Sequence, residues 1–145
     1  MDLYFLLFIL GISVSTLSVL IDYAIEWFVT RMYLFLNSNA LIDDVYCWIQ
    51  SIMCATIAIF ITLKFPNVEG SGIPETKSVI SGISIYKYMA FSTLLFKCIA
   101  LIFAIGAGYF VGKEGPFVHI SACIGNNLSK MSIFRRLYQK QTFRK

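Results

Sequence analysis

The chain has 145 residues, of which 58% are hydrophobic and only 14% are charged. Soluble domains average about 25% charged residues, so this composition excludes an ordinary water-soluble domain and indicates an integral, multi-pass membrane protein. The formal net charge is +4, and the single histidine, His119, excludes a multi-histidine metal site within the chain.

The first predicted element is a long membrane helix. Residues 3–21 are almost entirely apolar, and the helical pattern continues to Phe35. A membrane-spanning helix needs about 20 apolar residues, so this one is expected to cross the bilayer and project beyond it. Asp22 and Glu26 lie one turn apart on one face. Two interpretations of Asp22 stay open, an acid that faces protein or the interface and a proton carrier.

A polar turn is predicted at Asn37–Asn39 and Asp43–Asp44, and a second span follows from Val45 to Phe65. Polar residues inside a span are expected to face neighbouring helices and to hydrogen-bond there. Three residues of this span are candidates: Gln50, Ser51 and Thr56.

The helical pattern breaks at residues 66–75, which contain two prolines and two glycines and predict a structured loop. A helix is expected to start at Pro74, because proline is tolerated in the first turn. Ser71 lies just before that start, where the positive end of the helix dipole faces outward. The segment is either an ordinary turn with a cap or a site for an anion. Residues 76–88 predict a short re-entrant or interfacial helix.

Residues 89–111 predict the next span. It carries small residues at four-residue spacing, a pattern that lets another helix approach closely. These residues are Ala100, Ala104, Gly108 and Gly112. The small-residue face is interpreted as packing within the chain, with a dimer face as the alternative.

Charged residues next appear at Lys113 and Glu114, inside an apolar region where charge is costly and usually functional. A helix that starts at Pro116 directs its free N–H groups towards residues 112–115 and forms a second anion site. Glu114 is a tethered carboxylate able to compete for that site, which indicates a gate. Residues 117–128 predict a second short helix, in which His119 either hydrogen-bonds within the protein or relays protons.

Half of the 12 basic residues lie at the end of the chain, from Lys130 onward. The positive-inside rule favours a cytoplasmic position for such a segment. We do not expect a nucleic-acid partner, because no folded basic domain accompanies these residues.

Two stretches, Gly70-Ser71-Gly72-Ile73-Pro74-Glu75 and Gly112-Lys113-Glu114-Gly115-Pro116, resemble signatures of the CLC family of chloride channels and chloride/proton exchangers. They occur in the family's order and are separated by a hydrophobic helix. The resemblance implies an all-α membrane protein with the tilted transmembrane and re-entrant broken helices of the CLC fold. Residues 1–130 would be the N-terminal part of the pore domain, and residues 131–145 a basic polar tail or loop.

The resemblance also implies roles for individual residues. Glu114 would be the gating glutamate, and Lys113 would add positive potential to the path. Chloride would be the transported ion, with no metal or organic cofactor in this segment. Seven residues would bind chloride or line the pore: Ser71, Gly72, Ile73, Pro74, Gly115, Pro116 and Phe117.

The sequence departs from the family pattern in two respects. The bulky residues Tyr109 and Phe110 stand where the family usually has smaller ones, which affects the expected packing near the gate. Family proteins are also far longer, with a third anion-facing helix start, a tyrosine at the central site and nucleotide-binding domains beyond this stretch. We therefore expect a fragment of a pore that is embedded in membrane lipid and is a homodimer at full length.

Phe117 favours the plasma-membrane channel branch of the family, and thus a voltage-gated chloride channel subunit. Two alternatives stay open, a chloride/proton antiporter of the same family and a non-conducting truncated chain that interacts with full-length subunits. An intramembrane enzyme that uses Ser71, Glu114 and His119 has no support from their spacing.

Overall fold

The structure, a computed structural model, describes residues 2–35, 40–83 and 85–130. Every regular element in these ranges is helical, which confirms the all-α prediction. The predicted turn at Asn37–Asn39 and the basic tail at 131–145 lie outside the described residues. The elements in chain order are α1 (Asp2–Phe35), α2 (Ala40–Lys64), a single 3₁₀ turn (Pro66–Val68), α3 (Ile73–Ile80), α4 (Phe91–Gly106) and α5 (Glu114–Lys130).

Two helices, α1 and α2, are long and apolar enough to cross a membrane. The 34 residues of α1 extend about 51 Å at 1.5 Å per residue, so this helix is longer than the hydrocarbon core, as predicted. Few residues of either spanning stretch are buried within the chain. Most of their apolar surface is therefore left for lipid or for further protein.

One predicted turn is wrong in part, because Asp43 and Asp44 lie inside α2. Asp44 is exposed near the start of that helix, where negative charge interacts favourably with the helix dipole. Gln50 donates a hydrogen bond to the Phe28 carbonyl oxygen at 3.3 Å, which confirms its predicted contact with a neighbouring helix. Thr56 instead bonds to the Ile52 carbonyl oxygen of its own helix.

The helices α3 and α4 are shorter than predicted. Each is terminated by a glycine with positive φ that lies two residues after the last helical residue. After α3, Gly82 (φ 101°) and Ile83 donate to the carbonyl oxygens of Val79 and Ser78. This pair of bonds is a Schellman motif, which ends a helix on a left-handed residue. Residues 81–83 and 85–90 are therefore not helical, and the predicted helix over 76–88 reaches only Ile80.

The same motif ends α4. Gly108 (φ 87°) and Tyr109 donate to the carbonyl oxygens of Ile105 and Ala104. The predicted span over 89–111 is thus a helix of 16 residues, about 24 Å long, which is too short to cross a hydrocarbon core of about 30 Å. Gly108 and Gly112 consequently lie beyond the helix and are not part of a continuous small-residue face.

Small residues do bring α2 and α4 together. Ala58 of α2 and Ala100 of α4 are both buried, and together with Ala104 they line one small cavity between the helices. This arrangement agrees with packing of the small residues within the chain. Next to this contact, Gly106 faces the ring of Phe28 from α1, and a Cβ atom on Gly106 would lie 3.3 Å from Phe28 Cβ.

The core lies between α1, α4 and α5. Its buried members are Ile21, Leu94, Cys98, Leu101, Ile120 and Cys123. Ile120 and Cys123 are completely buried, so α5 is anchored here by the residues that follow its start. The core therefore fixes the position of the α5 start relative to α1 and α4.

We predict that Ile120→Ala lowers the free energy of unfolding by about 2–5 kcal/mol, because it removes buried methyl groups and leaves a cavity. The measurement is denaturant unfolding of the detergent-solubilised protein. Ile80→Ala is the matched control, since Ile80 is 80% exposed and surface substitutions usually change stability by no more than about 0.5 kcal/mol. Equal losses in the two variants would contradict this assignment of the core.

Candidate functional site

The first part of the site is the start of α3. The cap residue Gly72 has a left-handed conformation (φ 79°) and, as a glycine, has no side chain to cap the helix. The Ile73 N–H donates to the Ser71 hydroxyl oxygen at 3.3 Å. This bond uses a lone pair of the hydroxyl and leaves its proton available to donate to an anion. The helix starts at Ile73, one residue before the predicted Pro74.

The second part is the start of α5, which begins at Glu114, two residues before the predicted Pro116. The Phe117 N–H donates to the Lys113 carbonyl oxygen at 3.1 Å and closes the first helical turn. Pro116 lies in that turn, where its missing N–H costs little. The Glu114 side chain is exposed at the positive end of the helix dipole.

The fold brings these two helix starts into direct contact. A Cβ atom on Gly115 would lie 2.8 Å from the Ser71 hydroxyl oxygen, and a Cβ on Gly72 would lie 2.7 Å from His119 Cβ. Real Cβ contacts are essentially never this short. Glycine at positions 72 and 115 therefore allows the start of α3 to pack closely against the start of α5, with Ser71 next to the backbone of Gly115.

His119 stabilises this contact from the α5 side. The side chain is completely buried, and its ring stacks on Tyr88 with 4.0 Å between centroids and 9° between planes. Nε2 lies 3.1 Å from the Tyr88 carbonyl oxygen. A carbonyl only accepts, so the proton is on Nε2. This confirms hydrogen bonding within the protein, whereas a proton-relay role for His119 stays a prediction.

Two further residues near the site were missed by sequence reasoning. Lys97 of α4 is 3% exposed, and its ammonium donates to the Gly70 carbonyl oxygen at 2.9 Å. Tyr88 is also 3% exposed, and its hydroxyl donates to the Gly72 carbonyl oxygen at 3.1 Å. A lysine in an apolar helix is a detectable signal, but its partner 27 positions earlier in the chain is not.

Lys113 forms an ion pair with Asp22 of α1. The ammonium nitrogen lies 2.7 Å from a carboxylate oxygen, and both side chains are about half exposed. Asp22 is therefore an acid that faces protein, one of its two predicted interpretations. Exposed pairs contribute about 0–1 kcal/mol. The predicted role of Lys113 in the potential of the path remains a prediction, with part of its charge offset by Asp22.

The remaining predicted site residues surround the two starts. Ile73 and Pro74 are exposed at the α3 start, and Pro116 is buried in the first turn of α5. Phe117 packs against the core described above. Tyr109 and Phe110 do not crowd the described part of the site, because Tyr109 is half exposed and Phe110 is fully exposed.

The described residues include no candidate metal site. In residues 2–35, 40–83 and 85–130, no group of three or more His, Cys, Asp or Glu side chains is placed to hold a metal ion. The chemistry of the paired helix starts is instead that of hydroxyl and N–H donors, which suits an anion.

Comparison with known proteins agrees with this chemistry. Residues 52–145 match the family described as voltage gated chloride channel. Chloride channel protein 2 of Drosophila melanogaster is 34% identical over 92% of this chain and 12% of its own length. Chloride channel protein 2 of Cavia porcellus is 34% identical over 94% of this chain and 16% of its own length. Chloride channel protein CLC-c of Arabidopsis thaliana is 47% identical over 54% of this chain and 9% of its own length.

We predict that Gly72→Ala destabilises the protein more than Gly70→Ala does. Both glycines have positive φ, so each variant carries about 1–2 kcal/mol of backbone strain. Only Gly72 also has a close neighbour, because no described residue lies within 4 Å of a Cβ at Gly70. Overpacking adds about 1–3 kcal/mol at Gly72. Thermal unfolding in detergent measures the difference, and equal unfolding temperatures would argue against the tight contact with His119.

Proposed function

This chain belongs to the voltage-gated chloride channel family, and from that membership we propose that it supplies part of a chloride-conducting pore in which the Glu114 carboxylate is the gate. The single observation that supports this most is the contact between Ser71 and Gly115. In that contact the hydroxyl before one helix start lies beside the backbone of the other, one residue from the acid.

The proposed path uses the electrostatics of both helix starts. The N–H groups at the starts of α3 and α5 and the Ser71 hydroxyl replace part of the hydration shell of chloride. Gly72, Ile73 and Pro74 line the path on the α3 side, and Gly115, Pro116 and Phe117 line it on the α5 side. Lys113 adds positive potential. No metal or organic cofactor is required for passive movement of an anion.

Gating follows from competition between two anions. An ionised Glu114 occupies the positive end of the α5 dipole and excludes chloride from the anion site at the start of α5. When the carboxylate is displaced or protonated, chloride takes its place. The same arrangement makes closure sensitive to voltage, because a charged side chain moves relative to the membrane field.

The chain spans about an eighth to a sixth of the length of the chloride channel protein 2 relatives. We therefore propose that the complete pore also uses residues outside this stretch, that the full-length protein is a homodimer embedded in lipid, and that it acts at the plasma membrane. The antiporter and the non-conducting, subunit-binding chain are the competing proposals, and the first measurement below separates the channel from the antiporter.

The first test is a whole-cell recording of anion current. Cells express either this 145-residue chain or the longest in-frame chain that contains it. We expect chloride current from the longer chain alone, since the spanning helices of the shorter chain leave most of their surface without protein contacts. A current whose reversal potential also follows the proton gradient indicates the antiporter. Absence of current in every case, with protein at the surface, contradicts the proposed pore.

The second test concerns the gate. We predict that Glu114→Gln keeps the pore conducting but raises the open probability at closing voltages by about tenfold, as expected from loss of about 1.4 kcal/mol of charge interaction. Asp44→Asn is the control, because Asp44 is an exposed acid near the start of α2, an element that contributes no residue to either helix start. Voltage steps on the longest in-frame chain provide the measurement. Unchanged voltage dependence in Glu114→Gln would count against the gate.

A further inference from the structure

The residues on either side of Ser71, Gly70 and Gly72, each have a main-chain carbonyl group that is bound by a buried donor. The Gly70 carbonyl oxygen accepts from the Lys97 ammonium at 2.9 Å. The Gly72 carbonyl oxygen accepts from the Tyr88 hydroxyl at 3.1 Å, and from the backbone N–H and the hydroxyl of Thr76 at 3.0 and 2.6 Å. Both Lys97 and Tyr88 are 3% exposed, whereas Ser71 is exposed.

This arrangement matters for an anion because carbonyl oxygens carry negative partial charge. A carbonyl directed at the path would repel chloride and compete for the Ser71 hydroxyl. With both neighbouring carbonyls bound inside the protein, they are held away from the exposed side chain between them. Gly70 and Gly72 both have positive φ, a conformation that glycine adopts readily in tight turns. The backbone therefore turns both before and after Ser71.

Tyr88 also reaches the second helix start. Its ring stacks on His119 of α5, and its carbonyl oxygen accepts from His119 Nε2. The next residue is tied to the same helix, because Asn126 donates from its side chain to the Met89 carbonyl oxygen at 3.0 Å. Tyr88 is thus bonded to the residue after Ser71 and to α5 at once, and it links the two helix starts.

We propose that Tyr88 and Lys97 are positioning residues of the anion path, which hold Ser71 against Gly115 by binding the carbonyl groups on its two sides. The proposal rests on the proposed function, since it assigns Ser71 to the path. Neither residue touches the anion in this account. Each acts through the backbone of residues 70–72, and their buried hydrogen bonds fix a geometry that Ser71 alone does not determine.

Tyr88→Phe is the cleanest variant for a test. It removes one hydroxyl and keeps the ring, the stack on His119 and every charge in the chain. Thr76 still satisfies the Gly72 carbonyl oxygen, so the variant is expected to fold. Tyr86→Phe is the matched control, because Tyr86 is 81% exposed. Lys97→Met is the second variant, and Lys64→Met, at the exposed end of α2, is its control.

The first readout is the relative permeability of chloride and nitrate, obtained from reversal potentials of the longest in-frame chain. Reversal potentials do not depend on the number of folded channels, so simple destabilisation leaves them unchanged. We expect Tyr88→Phe and Lys97→Met to change the permeability ratio by about three- to tenfold, the equivalent of one lost hydrogen bond. The two control variants are expected to match the unmodified protein. A normal ratio in Tyr88→Phe with normal current overturns the proposal.

A second readout needs no current and therefore separates this proposal from the proposed function. Ser71→Cys is introduced into the same chain, and its reaction with a charged methanethiosulfonate reagent is timed in detergent. We expect Tyr88→Phe to change the modification rate by about threefold or more, and Tyr86→Phe to leave it unchanged. If no variant conducts but the rate changes, the positioning holds and the pore assignment fails. An equal rate in both backgrounds rejects the positioning role, whatever the currents show.

Discussion

The close approach of Gly72 to His119 is the contact on which the rest of this structure depends. Neither a side chain at position 72 nor one at position 115 fits between the two helix starts. The contact brings α5 together with α3, whose eight residues are too few for a helix that is stable alone. Their positions therefore come from packing, with α5 anchored by Ile120 and Cys123 in the core and α3 held by its cap residue.

Polar groups in apolar surroundings account for much of what holds the site. A buried donor without a partner costs about 1–3 kcal/mol. Two buried donors lie beside Ser71, Lys97 from α4 and Tyr88 from the segment before it, and both are satisfied by the carbonyl oxygens of residues 70 and 72. These bonds make the segment rigid without the regular ladder of a helix. Irregular backbone inside a membrane is tolerated only where protein or a water-filled cavity surrounds it.

Helix length explains why the ends of α3 and α4 matter. The Schellman motifs at Gly82 and Gly108 stop both helices early. A helix of 16 residues that lies across a bilayer has at least one end within the hydrocarbon core, because its length of about 24 Å is less than the thickness of that core. Short helices thus place their termini, with the partial charges of the helix dipole, inside the hydrocarbon core, whereas the termini of a full spanning helix lie outside it. Transporters and channels build ion sites from such ends.

The sequence by itself determined the class of protein, the long first helix and both helix starts to within two residues. These features are local, since apolar length, Gly-Pro punctuation and the tolerance of proline in a first turn act over a few neighbouring positions. The sequence was a poorer guide to helix ends, as with Gly108, because a glycine in a pattern of small residues every four positions is compatible with a packing face as well as with a helix terminator. Only the tertiary structure decided that Lys113 pairs with Asp22, 91 positions away, and that Lys97 and Tyr88 bind the carbonyls beside Ser71. Such contacts join residues whose separation along the chain has no period, so they arise only when the helices pack.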